Sequence, residues 1–463
     1  MWHDGSLLAR GRHQNDSQPE PIHMPLIKRI GAFVVGLLML LAPALWNGFP
    51  LLQYDTGGYL ARWYEGTLEQ SRSTVYGLFL NALTWPDFWP AVLAQAALTL
   101  WVLALVLRVF GLGRNARVLI VTVAALSLLT TPPWLTDVLL TDIFAGLAVL
   151  ALHLTVLHAD ALKPWERGAL FVFIGFAAAT HSGTLAVLLA LLGAGLLLAW
   201  FNRSLLPWTR LGSAASALAL GAVMLVAANY VVAGRLAWTP GGIALAFGRM
   251  LNDGIVARYL DEHCPDSRFR LCQHRRELPN DADVFFWGSA LFNQLGRFEG
   301  LNDEMRTIVL ESLREYPALQ LKMALTAFAT QLVLVRTGYG VNNEIWHTHG
   351  MIENFLPAIY PHMKAARQQR GELEPVLAAI NRVHVPVAYA AMLALLGVIA
   401  LGHMRARYAD LGRLALTVVL ALLANAAVLG ILSGPHDRYG ARMVWLAPLV
   451  VLLLWRVRTT LNA

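Results

Sequence analysis

Charge is what this sequence has least of: 14% of its 463 residues are Asp, Glu, Lys or Arg, against about a quarter in soluble proteins. Hydrophobic residues make up 57%, and the mean hydropathy is +0.53. Length alone would suggest about three soluble domains, but such a composition would leave large apolar patches facing water. A disordered or collagen-like chain is excluded by the same numbers. Cysteine is nearly missing, and two residues exclude a disulfide scaffold or a cysteine-rich metal site. The net charge of +7 would suit nucleic acid only if clustered on one face. Here the basic residues sit in short connections between apolar runs, so no nucleic-acid partner is expected. What remains is an integral membrane protein.

Ten apolar runs are long enough to consider as spans, near 30–47, 89–107, 118–130, 142–157, 168–180, 184–201, 211–232, 385–403, 412–432 and 443–455. With the start placed in the cytoplasm, parity puts five basic groups on that side. They are Arg108, Arg114 and Arg117; Lys163 and Arg167; Arg203 and Arg210; Arg405, Arg407 and Arg413; and Arg456 and Arg458. The opposite connections at 131–141 and 181–183 hold no Lys or Arg, as the positive-inside rule requires. The first run lacks a small-residue cleavage site and reads as a retained helix.

The expected fold class is an all-α polytopic membrane protein with about ten transmembrane helices, both termini cytoplasmic, in the cytoplasmic (inner) membrane. A disordered cytoplasmic tail occupies 1–26. Helices 1–7 fill 27–232, with a first outside loop at 48–88. A mainly helical extracytoplasmic domain at 233–384 is inserted between helices 7 and 8, and helices 8–10 fill 385–463. That inserted domain holds 16 basic and 16 acidic residues, so its charge says nothing about orientation. Its run at 317–335 carries Lys322 near the centre, which is costly in hydrocarbon, and reads as an interfacial helix. Cys264 and Cys272 lie close together in the same domain, where an oxidising compartment favours a disulfide-closed loop.

Two runs, 118–130 and 168–180, have about 13 residues and reach about 20 Å, short of a hydrocarbon layer about 30 Å thick. The segments after them, Thr130 to Asp142 and Thr180-His181-Ser182-Gly183-Thr184, are expected to line a protein-walled outward cavity. Asp137, Asp142 and His181 are candidates there. Asp142 heads its helix, where it either stabilises the N-terminal dipole or serves a site; His181 either satisfies a loop carbonyl or serves a site.

The first outside loop, Gln53-Tyr54-Asp55-Thr56-Gly57-Gly58-Tyr59, places Asp55 directly after the first helix, with Gly57-Gly58 expected to turn the backbone beside it. Arg62, Arg72 and Tyr76 follow. A carboxylate here suits removal of a proton from an acceptor hydroxyl, or else it caps a helix. The last outside loop, Ser433 to Arg442, presses His436, Arg438, Tyr439 and Arg442 between two spans. Arg438 and Arg442 either fork onto a phosphate or snorkel to headgroups, with Asp437 as a local partner. The His347 and His349 pair at i, i+2 is a possible metal signal. The only Asp-x-Asp, Asp281-Ala-Asp283 beside Pro279, reads as a solvated turn far from these loops.

A carboxylate after the first helix, a nearby Tyr, Asp142 after a short helix, the Thr-His-Ser-Gly turn and a closing Arg-Tyr loop together resemble the membrane-embedded GT-C glycosyltransferases. The likeness is to the branch with protein O-mannosyltransferases and lipid A aminoarabinose transferases, in helix order over most of 28–457. The resemblance implies a polyprenyl-phosphate sugar donor, Asp55 as base, Asp142 as a second acidic residue, and Arg438 and Arg442 as donor-phosphate ligands. Tyr59, Arg62, Arg72, Tyr76, Asp137, His181, His436 and Tyr439 would line the substrates. Asp55 is lone where an acidic pair would hold a metal, so neither metal nor other cofactor is expected. Membrane lipid and the lipid-linked donor are the expected partners, with 233–384 offering a surface to an envelope protein. A transporter or flippase for a lipid-linked or anionic solute would use the same charges; a non-catalytic scaffold would not need Asp55.

Overall fold

The computed structural model describes residues 26–461 apart from 69, 114, 202–205 and 265–268. The tail expected at 1–26 falls almost entirely outside the described residues, as do Arg114 and Arg203. Among the described residues the chain is all helix, with one isolated parallel bridge between Leu51 and Val138. Six helices are long and apolar enough to cross a membrane: Trp89–Val109, Ser182–Phe201, Trp208–Ala233, Leu373–Met404, Ala406–Ile431 and Asp437–Arg458. The protein is a multi-pass membrane protein. Each of the other four apolar runs is also helical: Leu26–Leu40 continuing into Ala42–Asn47, Ala116–Leu129, Asp142–Leu157 and Pro164–Thr180.

One of the two short runs is longer than its apolar residues indicate. Pro164 pre-sets the first helical φ and Glu166 closes a capping box on the Lys163 backbone, so that helix has 17 residues rather than about 13. Ala116–Leu129 has 14 residues, about 21 Å of rise. The connection after it is not irregular throughout: Pro132–Asp137 forms a short helix. Its chain then pairs with 51 through Leu51 N to Asp137 O and Leu139 N to Leu51 O, both 2.9 Å.

The segment 233–384 is not one body. Residues between Ala244 and Tyr316 build a separate core around Phe247, Tyr259, Phe285 and Phe292, and Cys264 and Cys272 are disulfide-bonded with Cα atoms 5.2 Å apart. Ile345, Ile352, Ile359 and Met363 instead join the main core of the spanning helices. Apolar periodicity shows that such residues are buried, but not against which partner. Pro317–Val333 packs on the end of the Ala406–Ile431 span and leaves Leu321 and Leu325 about 60% exposed.

Two glycines permit the close approaches that shape one end of the molecule. Gly440 lies so near the chain at 334 that an added Cβ would sit 1.8 Å from the Leu334 carbonyl oxygen. Gly57 meets the backbone of Thr348, where a Cβ would fall 2.8 Å from its Cα. The Gly57-Gly58 pair therefore does not turn the chain. Both residues lie inside the helix Tyr54–Glu65; at Gly57 the missing Cβ lets another helix, Trp346–Phe355, cross closely, and at Gly58 it leaves room for the Arg72 side chain.

Candidate functional site

The helix Tyr54–Glu65 starts with a capping box. The Gln53 side chain accepts from Asp55 N at 2.9 Å, and Thr56 Oγ1 accepts from Gln53 N at 3.1 Å. Thr348 locks this turn from outside: its hydroxyl accepts from Gly57 N and donates to Gln53 O, each at 2.9 Å. With its first turn fixed, the helix presents Asp55 in a set direction, and because Gln53 takes the capping role the Asp55 carboxylate is left for other partners.

Those partners are two arginines. Arg72 Nη2 donates to Asp55 Oδ1, and Arg438 Nη1 donates to Asp55 Oδ2. Arg438 continues to Asp142, its Nε donating to Oδ2 at 2.6 Å, with Nη2 3.5 Å from Oδ1. The result is a line of alternating charge: Arg72, Asp55, Arg438, Asp142. Side-chain exposure falls along it, 23%, 15%, 10% and 2%, so the line runs from the surface into the protein. Burial pushes the Asp55 carboxyl up, but the guanidiniums of Arg72 and Arg438 outweigh it and hold the group at about 2.

Arg438 and Arg442 do not sit in a loop, as the sequence led us to expect. Asp437–Val444 is helical and leads into the last span, with a break at Trp445 whose indole N–H donates to Arg442 O at 3.1 Å. Asp437 in the first turn suits the dipole. The i, i+4 spacing puts both arginines on one helix face. Arg442 is fully buried. Its Nε donates to Asn425 Oδ1 at 3.0 Å, Nη1 lies 3.3 Å from His181 Nδ1, and Nη2 has no hydrogen-bond partner among the described residues. Thr184 N also meets His181 Nδ1, at 3.3 Å, so that nitrogen is an acceptor. His181 thus orients Arg442 as well as joining two helices. Three arginines against two carboxylates leave the cluster one positive charge in excess. A small open pocket reaches it, lined by Thr131, Trp134, Thr337, Tyr339, Asp142 and Arg438.

Other sequence candidates lie beside or beneath this line. Tyr59 is buried edge-on against Tyr76, ring centroids 4.9 Å apart, within electrostatic reach of Arg438 and Arg72. Tyr76 is committed elsewhere: its hydroxyl donates to Gln95 Oε1 at 3.0 Å, while Gln95 Nε2 donates to Thr136 O at 2.7 Å. The ring of His436 packs against Tyr339 and Tyr439, and its backbone N and O are clasped by the Gln331 amide at 2.9 and 3.0 Å. Tyr439 pairs its hydroxyl with Ser433 at 3.0 Å.

Two candidates bond backbone at helix ends. Asp137 is fully buried and its Oδ2 accepts from Ala44 N at 2.7 Å, satisfying the start of the helix Ala42–Asn47. Arg62 is fully buried and donates to Thr67 O at 3.1 Å, tying down the end of its own helix. The His347 and His349 pair does not point to a shared ligand, since His349 Nε2 bonds Gln369 Oε1 at 2.7 Å.

Several working residues were missed. Asn425, Gln331 and Gln95 are buried amides within apolar helices, and an amide in such a run is itself a signal of a polar partner. Thr348 gave no signal, because its role depends on a crossing 291 residues away in sequence. Asp283, read as a remote turn residue, lies within electrostatic reach of His436, Asp55 and Arg72. That end of the subdomain around Phe285 therefore lies near the site. No protein-family model matches this chain, and neither curated proteins nor solved structures include a significant match to it.

Proposed function

We propose that this protein is a GT-C-type membrane glycosyltransferase. It would move a sugar from a polyprenyl-phosphate donor to an acceptor hydroxyl at the outer face of the cytoplasmic membrane. The observation that carries the reading is the excess cation: Arg442, buried, with one guanidinium nitrogen unpartnered, beside an Arg438 shared by two carboxylates. A buried cation of this kind is costly without an anion, and a planar donor fork matches phosphate. In the full reading the four shorter apolar helices complete ten spans, both termini are cytoplasmic, and Asp55 faces the periplasm. The arginines of the opposite ends fit this topology. Arg108 forks onto Glu166 at 2.6 and 2.5 Å, Arg210 pairs with Asp160 at 2.6 Å, and Arg413 with Asp410 at 2.8 Å.

In the transfer, the acceptor hydroxyl gives its proton to Asp55 while its oxygen bonds the anomeric carbon. The bond from that carbon to the donor phosphate oxygen breaks, and the phosphate leaves with the electron pair. Arg438 and Arg442 hold the new charge in a partly dehydrated site, where fixed cations act more strongly than in water. One base and no second nucleophile give inversion. Asp55 held at about 2 is a weak base. A donor phosphate that draws Arg438 onto itself returns the carboxylate toward ordinary basicity, so donor binding would prepare the base. The test is donor turnover by purified protein in liposomes, using labelled polyprenyl-phosphate sugars, for the wild type and Asp55→Asn. Equal turnover in both would remove Asp55 as the base; solute uptake without covalent product would favour a transporter.

A further inference from the structure

Between the helices Pro317–Val333 and Trp346–Phe355 the chain makes a tight turn through Gly338-Tyr339-Gly340. Both glycines have left-handed backbones, with φ of +84° and +73°, a region that residues carrying a Cβ rarely adopt. Space asks for glycine as well. An added Cβ would fall 2.3 Å from Leu377 Cδ2 at position 338, and 2.5 Å from Gln53 Nε2 at position 340. Gln53 is the residue that caps the Asp55 helix, so the turn rests directly on the element that aims the candidate base. Its two ends are held too. Asn381 clasps Thr337, accepting from Thr337 N at 2.8 Å and donating to Thr337 O at 3.0 Å. Val341 N donates to Gly338 O at 3.1 Å, and the Val341 side chain is buried in the main core.

The backbone of this turn is fixed, yet the Tyr339 side chain at its tip is 45% exposed. Its ring lies beside that of His436, with centroids 5.3 Å apart. It lines the small open pocket that also holds Asp142 and Arg438. Tyr54, Tyr439, Asp283 and Asp437 lie within electrostatic reach of its hydroxyl. A tyrosine of an interfacial aromatic belt sits at the level of the lipid headgroups, whereas this one stands among the charged and polar groups of the site. Tyrosine offers a broad, amphipathic contact surface with few torsions to freeze. Two obligatory glycines and a clasped flank hold that surface in one place, as a binding residue requires.

We propose that Tyr339 is the surface on which the sugar ring of the lipid-linked donor stacks. A pyranose has an apolar C–H face that suits an aromatic ring, and edge hydroxyls that suit the polar groups around it. Arg438 and Tyr339 line one pocket, so a phosphate held by the first brings its attached sugar to the second. The inference rests on the glycosyltransferase reading and names its sugar-binding residue. The test is equilibrium binding of two radiolabelled lipids to the full-length protein in phosphatidylcholine nanodiscs, without added acceptor. One lipid is polyprenyl-phosphate mannose; the other is polyprenyl methyl phosphate, a diester of the same charge that lacks the sugar. The mannosyl lipid is expected to bind about tenfold more tightly. Tyr339→Ala should remove that difference by weakening the mannosyl lipid alone, and Tyr339→Phe should keep it. Tyr339→Leu serves in place of Tyr339→Ala should the latter fail to fold. A preference for the mannosyl lipid that survives in folded Tyr339→Ala or Tyr339→Leu overturns this inference and leaves the donor reading standing. So does equal binding of both lipids by the wild type. Binding of neither lipid removes the donor reading, and this inference with it.

Discussion

Replacing Arg438 with glutamine tests whether the alternating charges form a structural unit. Among the described residues Arg438 alone bridges both carboxylates. In its absence Asp55 keeps Arg72, and with 15% side-chain exposure it also keeps some water. Asp142 is 2% exposed and loses its only ion pair among the described residues. Removing one partner of a buried pair costs about 3–5 kcal/mol, chiefly because the other charge is stranded. The helix N-terminus at Asp142 offsets at most about 1 kcal/mol of that. Arg438→Gln should therefore destabilise by about 3 kcal/mol, and adding Asp142→Asn should restore about 2 kcal/mol. Equilibrium unfolding by SDS titration in mixed micelles measures both. Arg438→Gln costing less than about 1 kcal/mol, or a double variant no more stable than the single one, would refute the reasoning.

Other expectations follow from the same geometry. Asp55 has an ordinary value of 3.8 and is held at about 2, worth about 2.4 kcal/mol at 1.36 kcal/mol per unit. Because the folded value is depressed, this contribution is fully present above about pH 5 and is lost as pH falls from about 4 toward 2; Asp55→Asn should flatten that limb of the stability profile. Gly440→Ala drives a Cβ against the Leu334 carbonyl and should cost about 3 kcal/mol. Gly31→Ala, whose Cβ meets nothing within 4 Å in its helix, should stabilise by about 0.5–1 kcal/mol, both read from thermal unfolding. Opening the disulfide with Cys264→Ser and Cys272→Ser should cost the subdomain around Phe285 about 2.5 kcal/mol by chain entropy. Hydrogen exchange should quicken there and stay unchanged around Leu103 and Val149 in the main core.

Much of this protein was legible as apolar runs: each of the ten is helical, and the scarcity of charge pointed to the membrane. Single charges in apolar surroundings were legible too, which is why Asp55, Asp142 and Arg438 stood out and do converge. What failed did so for physical reasons. Gly57-Gly58 suggested a turn because glycine permits one, but the same missing Cβ permits a close helix crossing at Gly57 and the approach of Arg72 at Gly58. Asp137 and Arg62 are as buried as Arg442, yet Asp137 accepts from the start of another helix and Arg62 donates to the backbone just past the end of its own, and residue type alone does not distinguish these uses. The division of 233–384 between two cores, and the approach of Asp283 to His436, depend on long-range packing that no local pattern encodes.

The central claim is that Asp55 and the buried arginines transfer a sugar from a lipid-linked phosphate donor. It is tested most directly by following the anomeric carbon of labelled polyprenyl-phosphate sugars with the purified protein in liposomes. The account predicts covalent transfer with inversion in the wild type, and a loss of 10²–10⁴-fold in Asp55→Asn with the fold retained. Retained configuration, or undiminished transfer by Asp55→Asn, would contradict it.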